Sequence, residues 1–363
     1  MNIKYLLILT IAMIAIIGGV FIYFMDQGSQ PEQPSVENPV INQTPGENLS
    51  SNYTIKPIRA ADKTIKSIGL TMDNFPVLDG ATASQPIRSL IACEAFNVTC
   101  YWYETGDREM FLSADFYGAG ASFEEQEKIR SKFEKNSKTH DAYLNLIQSK
   151  IDLILVSTKP SEDELKVAKE LGVKLELVPI GLDGFIFLVN EKNPVKNLNT
   201  SDIVDIYSGK LNNWKKLTGI DSPITAFTRP NNSGSQELME KLVMKEVAMD
   251  TSLKVERVIM AMAPLIEGVE TDENTIGYSL YYYKNNMIDK RLRHPNVKLI
   301  SVDGIEPNPE NIASKKYPYV FNIYAVTRED EPKNSLSYQI KEWLTGEEGQ
   351  KVIKKAGYIS LGN

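Results

Sequence analysis

Residues 151–157, Ile-Asp-Leu-Ile-Leu-Val-Ser, are almost continuously apolar or β-branched. Such a run reads as a strand buried on both faces of a sheet. Ser161-Glu162-Asp163-Glu164 follows closely. A Ser three positions ahead of a Glu is the pattern of a capping box, and it predicts a helix to about Leu171. The same alternation continues along the chain. Lys174–Pro179 and Gly184–Asn190 read as strands. Thr200 or Ser201 caps a short helix ending at Gly209, and Ser235 to about Val247 is helical in pattern. Tyr319–Val326 is a strand, and Ser335–Ala356 is mostly helix, ending at Gly357. Strands and helices in alternation predict an α/β fold with a largely parallel sheet. With 363 residues, 42% of them hydrophobic, there is material for a large core and for about two domains.

From Tyr5 to Phe24 the chain is apolar and uncharged, with Lys4 before it and Asp26 after it. That is about the 20 residues needed to span a bilayer, and the positive flank keeps the N-terminus in the cytoplasm with the rest outside. A cleaved signal sequence is the rival reading. It would have a shorter apolar core ending in small residues, whereas this run ends Val-Phe-Ile-Tyr-Phe, so a retained anchor is favoured. The residues after Asp26 are rich in Pro, Gln, Asn, Glu and Ser and cannot bury enough apolar surface to order themselves. The expected plan is an anchor or signal sequence over 1–26, a disordered tether over 27–55, one domain from 56–181 plus 319–363, and a second over 182–318.

The net charge of −7 argues against a nucleic-acid partner. Two His and two Cys, with no metal-ligand spacing, point to no metal, no cofactor and no Cys nucleophile. Cys93 and Cys100 are open to two readings. Outside the cytoplasm they can pair if the helix holding Cys93 stops near Phe96, or they are two buried thiols.

Three segments share one physical design, a cluster of Gly, Ser or Thr where a helix begins. They are Asp79-Gly80-Ala81-Thr82-Ala83-Ser84-Gln85-Pro86, Ser137-Lys138-Thr139-His140-Asp141-Ala142 and Arg229-Pro230-Asn231-Asn232-Ser233-Gly234-Ser235-Gln236. Pro86 suits the first turn of a helix. A helix N-terminus offers unpaired N–H donors and partial positive charge, so it attracts anions. Any one such segment is more often an ordinary cap. Three of them, one with Arg229 four residues ahead of Ser-Gly-Ser, favour an oxyanion site, because Arg adds a full charge on a planar fork.

The chain resembles the phosphate-binding subunits of bacterial ABC transporters, members of the type II periplasmic-binding superfamily, from about Ile68 to Leu361. The resemblance is carried by DGATASQP, IDLILVSTKPSEDEL, VPIGLDGFIFLVNEKNPVKNLNTSDIVDIYSGKLNNWKKLTG, RPNNSGSQELM, TIGYSLYYY and GQKVIKKAGYISL. It implies two α/β domains, a hinge and a ligand cleft, and ligand-binding residues at Thr82, Ala83, Thr139, Ser157, Arg229, Ser233, Gly234 and Ser235. It also implies a monomeric protein, not an enzyme, that delivers phosphate to a permease. A membrane-anchored sensor or surface binding protein of the same fold is the alternative. The similar proteins place an Asp after the buried strand, where it accepts the proton of hydrogen phosphate. This chain has Ser157 there, and Asp79 or Asp141 is left as the candidate acceptor.

Other conspicuous residues have plainer readings. Trp214 is expected to pack, Tyr281–Tyr283 to form a half-exposed surface, Lys138 to be solvated, and His140 to be a satisfied polar residue, since no nucleophile is paired with it.

Overall fold

The computed structural model describes residues 54–57, 65–105, 109–288 and 294–361. The apolar run Tyr5–Phe24 and nearly all of the tether lie outside them. Among the described residues no helix is long and apolar enough to cross a membrane. The described strands are, in chain order, β1 (Thr54–Ile55), β2 (Leu78–Gly80), β3 (Cys100–Glu104), β4 (Met110–Ala114), β5 (Leu153–Val156), β6 (Leu175–Asn190), β7 (Asn197–Leu198), β8 (Thr225–Ala226), β9 (Thr275–Leu280), β10 (Val297–Leu299), β11 (Ser301–Val302) and β12 (Val320–Arg328).

Seven of these form a sheet in the order β2-β5-β12-β6-β9-β8, with β10 also on β6. Within this sheet only β2/β5 and β8/β9 are parallel. The pairs β5/β12, β12/β6, β6/β9 and β6/β10 are antiparallel, so the sheet is mixed and not largely parallel. Apolar content reports burial and carries no information on strand direction.

The strand β6 organises the molecule. From Leu175 to Gly184 it pairs with β12, and from Phe185 to Val189 with β9. The two strands expected at Lys174–Pro179 and Gly184–Asn190 are thus one continuous element. Packing keeps the intervening residues extended. A β-carbon on Gly181 would lie 3.0 Å from Ile353 Cγ2, and one on Gly184 2.8 Å from Ile312 Cδ1. Asp183 is held in the strand because its Oδ1 accepts the backbone N–H groups of Gly184 and Tyr282.

The helix Gln85–Phe96 carries Pro86 in its first turn and stops at Asn97, which is left-handed (φ 57°). The chain then doubles back into β3, and Cys93 and Cys100 form a disulfide with Cα atoms 6.0 Å apart. β1, at the end of the expected tether, pairs with β3, which also pairs with β4. Both halves of the Ser161/Glu164 capping box are present on the helix Glu162–Glu170. The helix Thr200–Tyr207 is capped by Asn199, one residue before the expected caps, with Asp202 accepting the Asn199 N–H. The C-terminal helical stretch is two helices, Leu336–Thr345 and Glu347–Ala356, broken at Gly346 and ended by Gly357 (φ 102°).

Trp214 is buried, its Nε1 donating to Asn274 O at 3.0 Å. Tyr282 and Tyr283 are fully buried, against the expectation of a half-exposed surface. Tyr282 stacks on Tyr358 at 3.7 Å and donates its hydroxyl to Ala356 O, so its polar tip is satisfied without water.

Candidate functional site

β2 and β5 are parallel neighbours, and each is followed by a loop and a helix. Gly80 pairs with Leu155, so the loop 81–84 and the pair Ser157–Thr158 leave the same edge of the sheet. In α/β sheets that edge is where ligands bind. Ala81 N and Ser84 Oγ both donate to Leu155 O, at 3.0 and 2.6 Å. Neither Thr82 nor Ser84 caps a helix through its side chain. Thr82 Oγ1 instead accepts from Asn136 Nδ2 at 3.3 Å, which leaves the Thr82 hydroxyl hydrogen available to donate. Ala83 packs its methyl into the core and gives its carbonyl to the Tyr358 hydroxyl at 2.6 Å. Only its backbone N–H remains for a ligand.

The second segment is pinned to the first by Asp79, which is fully buried. Its Oδ1 accepts from Gly80 N at 2.7 Å and from Ser137 N at 2.9 Å. The helix Lys138–Ile147 therefore starts beside the end of β2. Lys138 takes a left-handed conformation (φ 64°) and is exposed, whereas Thr139 is buried. His140 Nδ1 meets Glu164 Oε1 at 2.8 Å, so it is the satisfied polar residue expected. Asp141 is exposed in the first turn.

The third segment follows β8. Arg229 N donates to Gln236 Oε1 and to the Tyr278 hydroxyl, and Arg229 Nη1 donates to Ile259 O at 2.8 Å. Burial lowers the Arg229 pKa, with Tyr278, Tyr283 and Glu109 opposing the shift. Ser233 caps the helix Gly234–Leu238, its Oγ accepting from Gln236 N, and the chain continues without a break into the π-helical Met239–Met244. Ser235 is buried at its start.

The second and third segments meet at Gly234, where an added β-carbon would stand 2.6 Å from Thr139 Oγ1. Asn232 Nδ2 donates to Asp163 Oδ2 at 2.8 Å and Lys241 Nζ to Pro160 O at 3.2 Å, so the same two faces also touch beyond the site. Thr82, Ala83, Thr139 and Ser157 are thus on one side, and Arg229, Ser233, Gly234 and Ser235 on the other.

Five buried polar atoms in these segments have no protein partner: Ser157 Oγ, Thr158 Oγ1, Arg229 Nε, Asn136 Oδ1 and Asp79 Oδ2. Buried polar groups are ordinarily paired, so these five atoms are candidates to meet a ligand. The Arg nitrogen can only donate, the two hydroxyls can do either, and the Asp and Asn oxygens can accept. Sequence reasoning missed Asn136 and Thr158. Thr158 adjoins the chosen Ser157, and Asn136 immediately precedes the second segment, 137–142, but neither was weighed.

A family model described as the PBP superfamily domain matches residues 111–346, more than half of the chain. The phosphate-binding protein PstS of Borreliella burgdorferi is 27% identical over 241 residues, which cover 64% of this chain and 82% of that protein. PstS of Bacillus subtilis is 26% identical over 184 residues, 50% of this chain and 56% of that protein. Among solved structures, one from Clostridium perfringens is described as a phosphate ABC transporter substrate-binding protein with bound phosphate. It superposes with a TM-score of 0.54 at 23% identity, covering 79% of this chain and 99% of its own. A phosphate-binding protein from Stenotrophomonas maltophilia gives 0.51 at 12% identity, covering 79% and 91%. The structural likenesses are likenesses of fold, a mixed α/β, two-domain arrangement. On its matched residues and its fold, the chain belongs to the PBP superfamily domain family.

Proposed function

We propose that this protein binds phosphate outside the cytoplasm and delivers it to the permease of an ABC transporter. The observation that carries the reading is the set of unpartnered buried atoms on segments from both halves of the fold, two of which meet at Gly234 and Thr139. Arg229 Nε and the Ser157 and Thr158 hydroxyls supply donors to oxyanion oxygens. Asp79 and Asn136 supply acceptors for the proton that hydrogen phosphate carries. The names of the relatives support the same ligand, and the description of the Clostridium perfringens structure supports the same transporter class.

In this reading the ligand contacts are Thr82, Ala83 through its N–H, Thr139, Ser157, Arg229, Ser233, Gly234 and Ser235. The two domains are 56–181 plus 319–363 and 182–318, with β6 crossing from the first to the second. They close on the anion and no bond is made or broken. The protein works as a monomer, held at the membrane by the segment before Asp26. The Cys93–Cys100 disulfide supports an oxidising compartment, since such bonds persist outside the cytoplasm. Calorimetric titration of the full chain in detergent with phosphate, arsenate and sulfate tests the reading. Phosphate binding at one site per chain is the expected result, and no heat with any of the three would overturn it.

A further inference from the structure

Arg88 lies outside every segment read as touching the ligand, yet it holds two of them. It sits in the first turn of the helix Gln85–Phe96, with its side chain wholly buried. Its guanidinium makes four hydrogen bonds. Nη1 donates to Ala81 O at 3.2 Å and to Ser84 Oγ at 2.8 Å, Nε to Phe133 O at 3.2 Å, and Nη2 to Lys135 O at 2.8 Å. Ala81 and Ser84 belong to the first loop. Phe133 and Lys135 lead into Asn136 and Ser137, the start of the second.

A trans peptide unit points its C=O and the following N–H in opposite directions. With the carbonyls of Ala81 and Lys135 fastened on Arg88, the N–H groups of Thr82 and Asn136 face away from it. Thr82 and Asn136 are the residues that bridge the two loops. Room for the guanidinium comes from Gly80, whose conformation (φ 153°) suits glycine. A β-carbon there would lie 2.9 Å from Arg88 Nη1 and 2.0 Å from Leu155 O.

Burial pushes the Arg88 pKa down to about 10, while Asp79, Tyr358 and Glu134 raise it, so the group is a cation at neutral pH. Asp79 neighbours it but gives its Oδ1 to Gly80 N and Ser137 N. Cation and carboxylate thus work in parallel, one binding the carbonyls of the two loops and the other their N–H groups.

We propose that Arg88 is a positioning residue of the oxyanion site, a single buried guanidinium that fixes the loops 81–84 and 133–137 in one shared orientation. This rests on the phosphate reading for its ligand but not for its geometry, and the test separates the two. Wild type, Arg88→Lys and Ser84→Ala full-length proteins are titrated with inorganic phosphate, and their ligand-free backbone amide exchange is mapped. Lys keeps the charge but cannot span acceptors on two loops. Arg88→Lys is expected to weaken phosphate binding by about tenfold or more. It is also expected to speed exchange in residues 81–84 and 135–139, leaving 233–236 unchanged. Ser84→Ala removes one of the four bonds together with the Ser84 Oγ bonds to Ala81 O and Leu155 O, and keeps the cation, so its readout for Arg88 is the second loop: a smaller increase in exchange at 135–139, which Ser84 itself does not touch. It decides the matter if the Lys variant does not fold. Unchanged affinity and exchange, or exchange accelerated throughout the chain, would overturn the role. If wild type binds no phosphate, the ligand reading fails, and the local exchange pattern still decides whether Arg88 orders the loops.

Discussion

Gly234 and Thr139 meet so closely that a β-carbon on Gly234 would stand 2.6 Å from Thr139 Oγ1. Each is among the first residues of its helix, so two helix N-termini converge where partial positive charge and free N–H groups are concentrated. The absence of a side chain at Gly234 is what allows the approach.

Gly234→Ala should therefore hold the two helix starts apart. Ala is the better helix former, so the ligand-free melting temperature should be unchanged or slightly raised. Phosphate affinity should fall about tenfold, equivalent to ~1.4 kcal/mol. Calorimetry on both proteins checks this, and equal affinities would remove the contact from the binding mechanism.

Ser157 bears on selectivity. It is buried, and its Oγ has no protein partner. A carboxylate at this position would face an oxygen of fully ionised sulfate with no proton between them, and an unmatched buried charge is costly. Ser157→Asp should lower sulfate affinity more than phosphate affinity, by about tenfold or more. Competition titrations at one pH and ionic strength measure both. Equal changes for the two anions would place Ser157 outside the pocket.

Asp183 makes stability depend on pH. Burial pushes its carboxyl up from 3.8 to about 7, against the pull of the Gly184 and Tyr282 N–H groups. Tyr281, Tyr282 and Tyr358 feel its charge. Between about pH 4 and pH 7 the folded state keeps a proton that the unfolded chain has lost. Stability contributed by this group is thus present at acid pH, falls as pH rises through that window, and is level above it. The full effect is on the order of 4 kcal/mol. Asp183→Asn cannot titrate, so its melting temperature relative to wild type should rise from pH 5 to pH 8. Scanning calorimetry showing a constant offset would contradict the assignment.

The legible parts of this fold were those decided by neighbours in sequence. Ser161 and Glu164 cap their helix by reciprocal bonds three residues apart, and the Ser-Gly-Ser start at Ser233 is equally local. The three helix starts, at Gln85, Lys138 and Gly234, were readable for the same reason. The Gly181–Gly184 stretch of β6 was not readable, because Gly and Asp are turn residues until Ile353, Ile312 and the Tyr282 N–H hold them extended. Strand direction was hidden because β6 meets β12 from a distant part of the chain. Arg88 was invisible, since its acceptors Phe133 and Lys135 lie 45 and 47 residues away and a helical Arg reads as a solvated charge. Cys93 and Cys100 were undecidable until the left-handed Asn97 turned the chain back.

Arg229 provides the most direct test of the central claim. It is almost fully buried, its Nη1 is held by Ile259 O, and its Nε has no protein partner. A charge-assisted hydrogen bond from it to phosphate in a desolvated site is worth on the order of 2–5 kcal/mol. The measurement is calorimetric titration of phosphate into wild type and Arg229→Ala, with the ligand-free melting temperatures recorded alongside. Affinity is expected to be at least about tenfold weaker in the variant, with little change in melting temperature. Phosphate bound equally tightly by both proteins would contradict it.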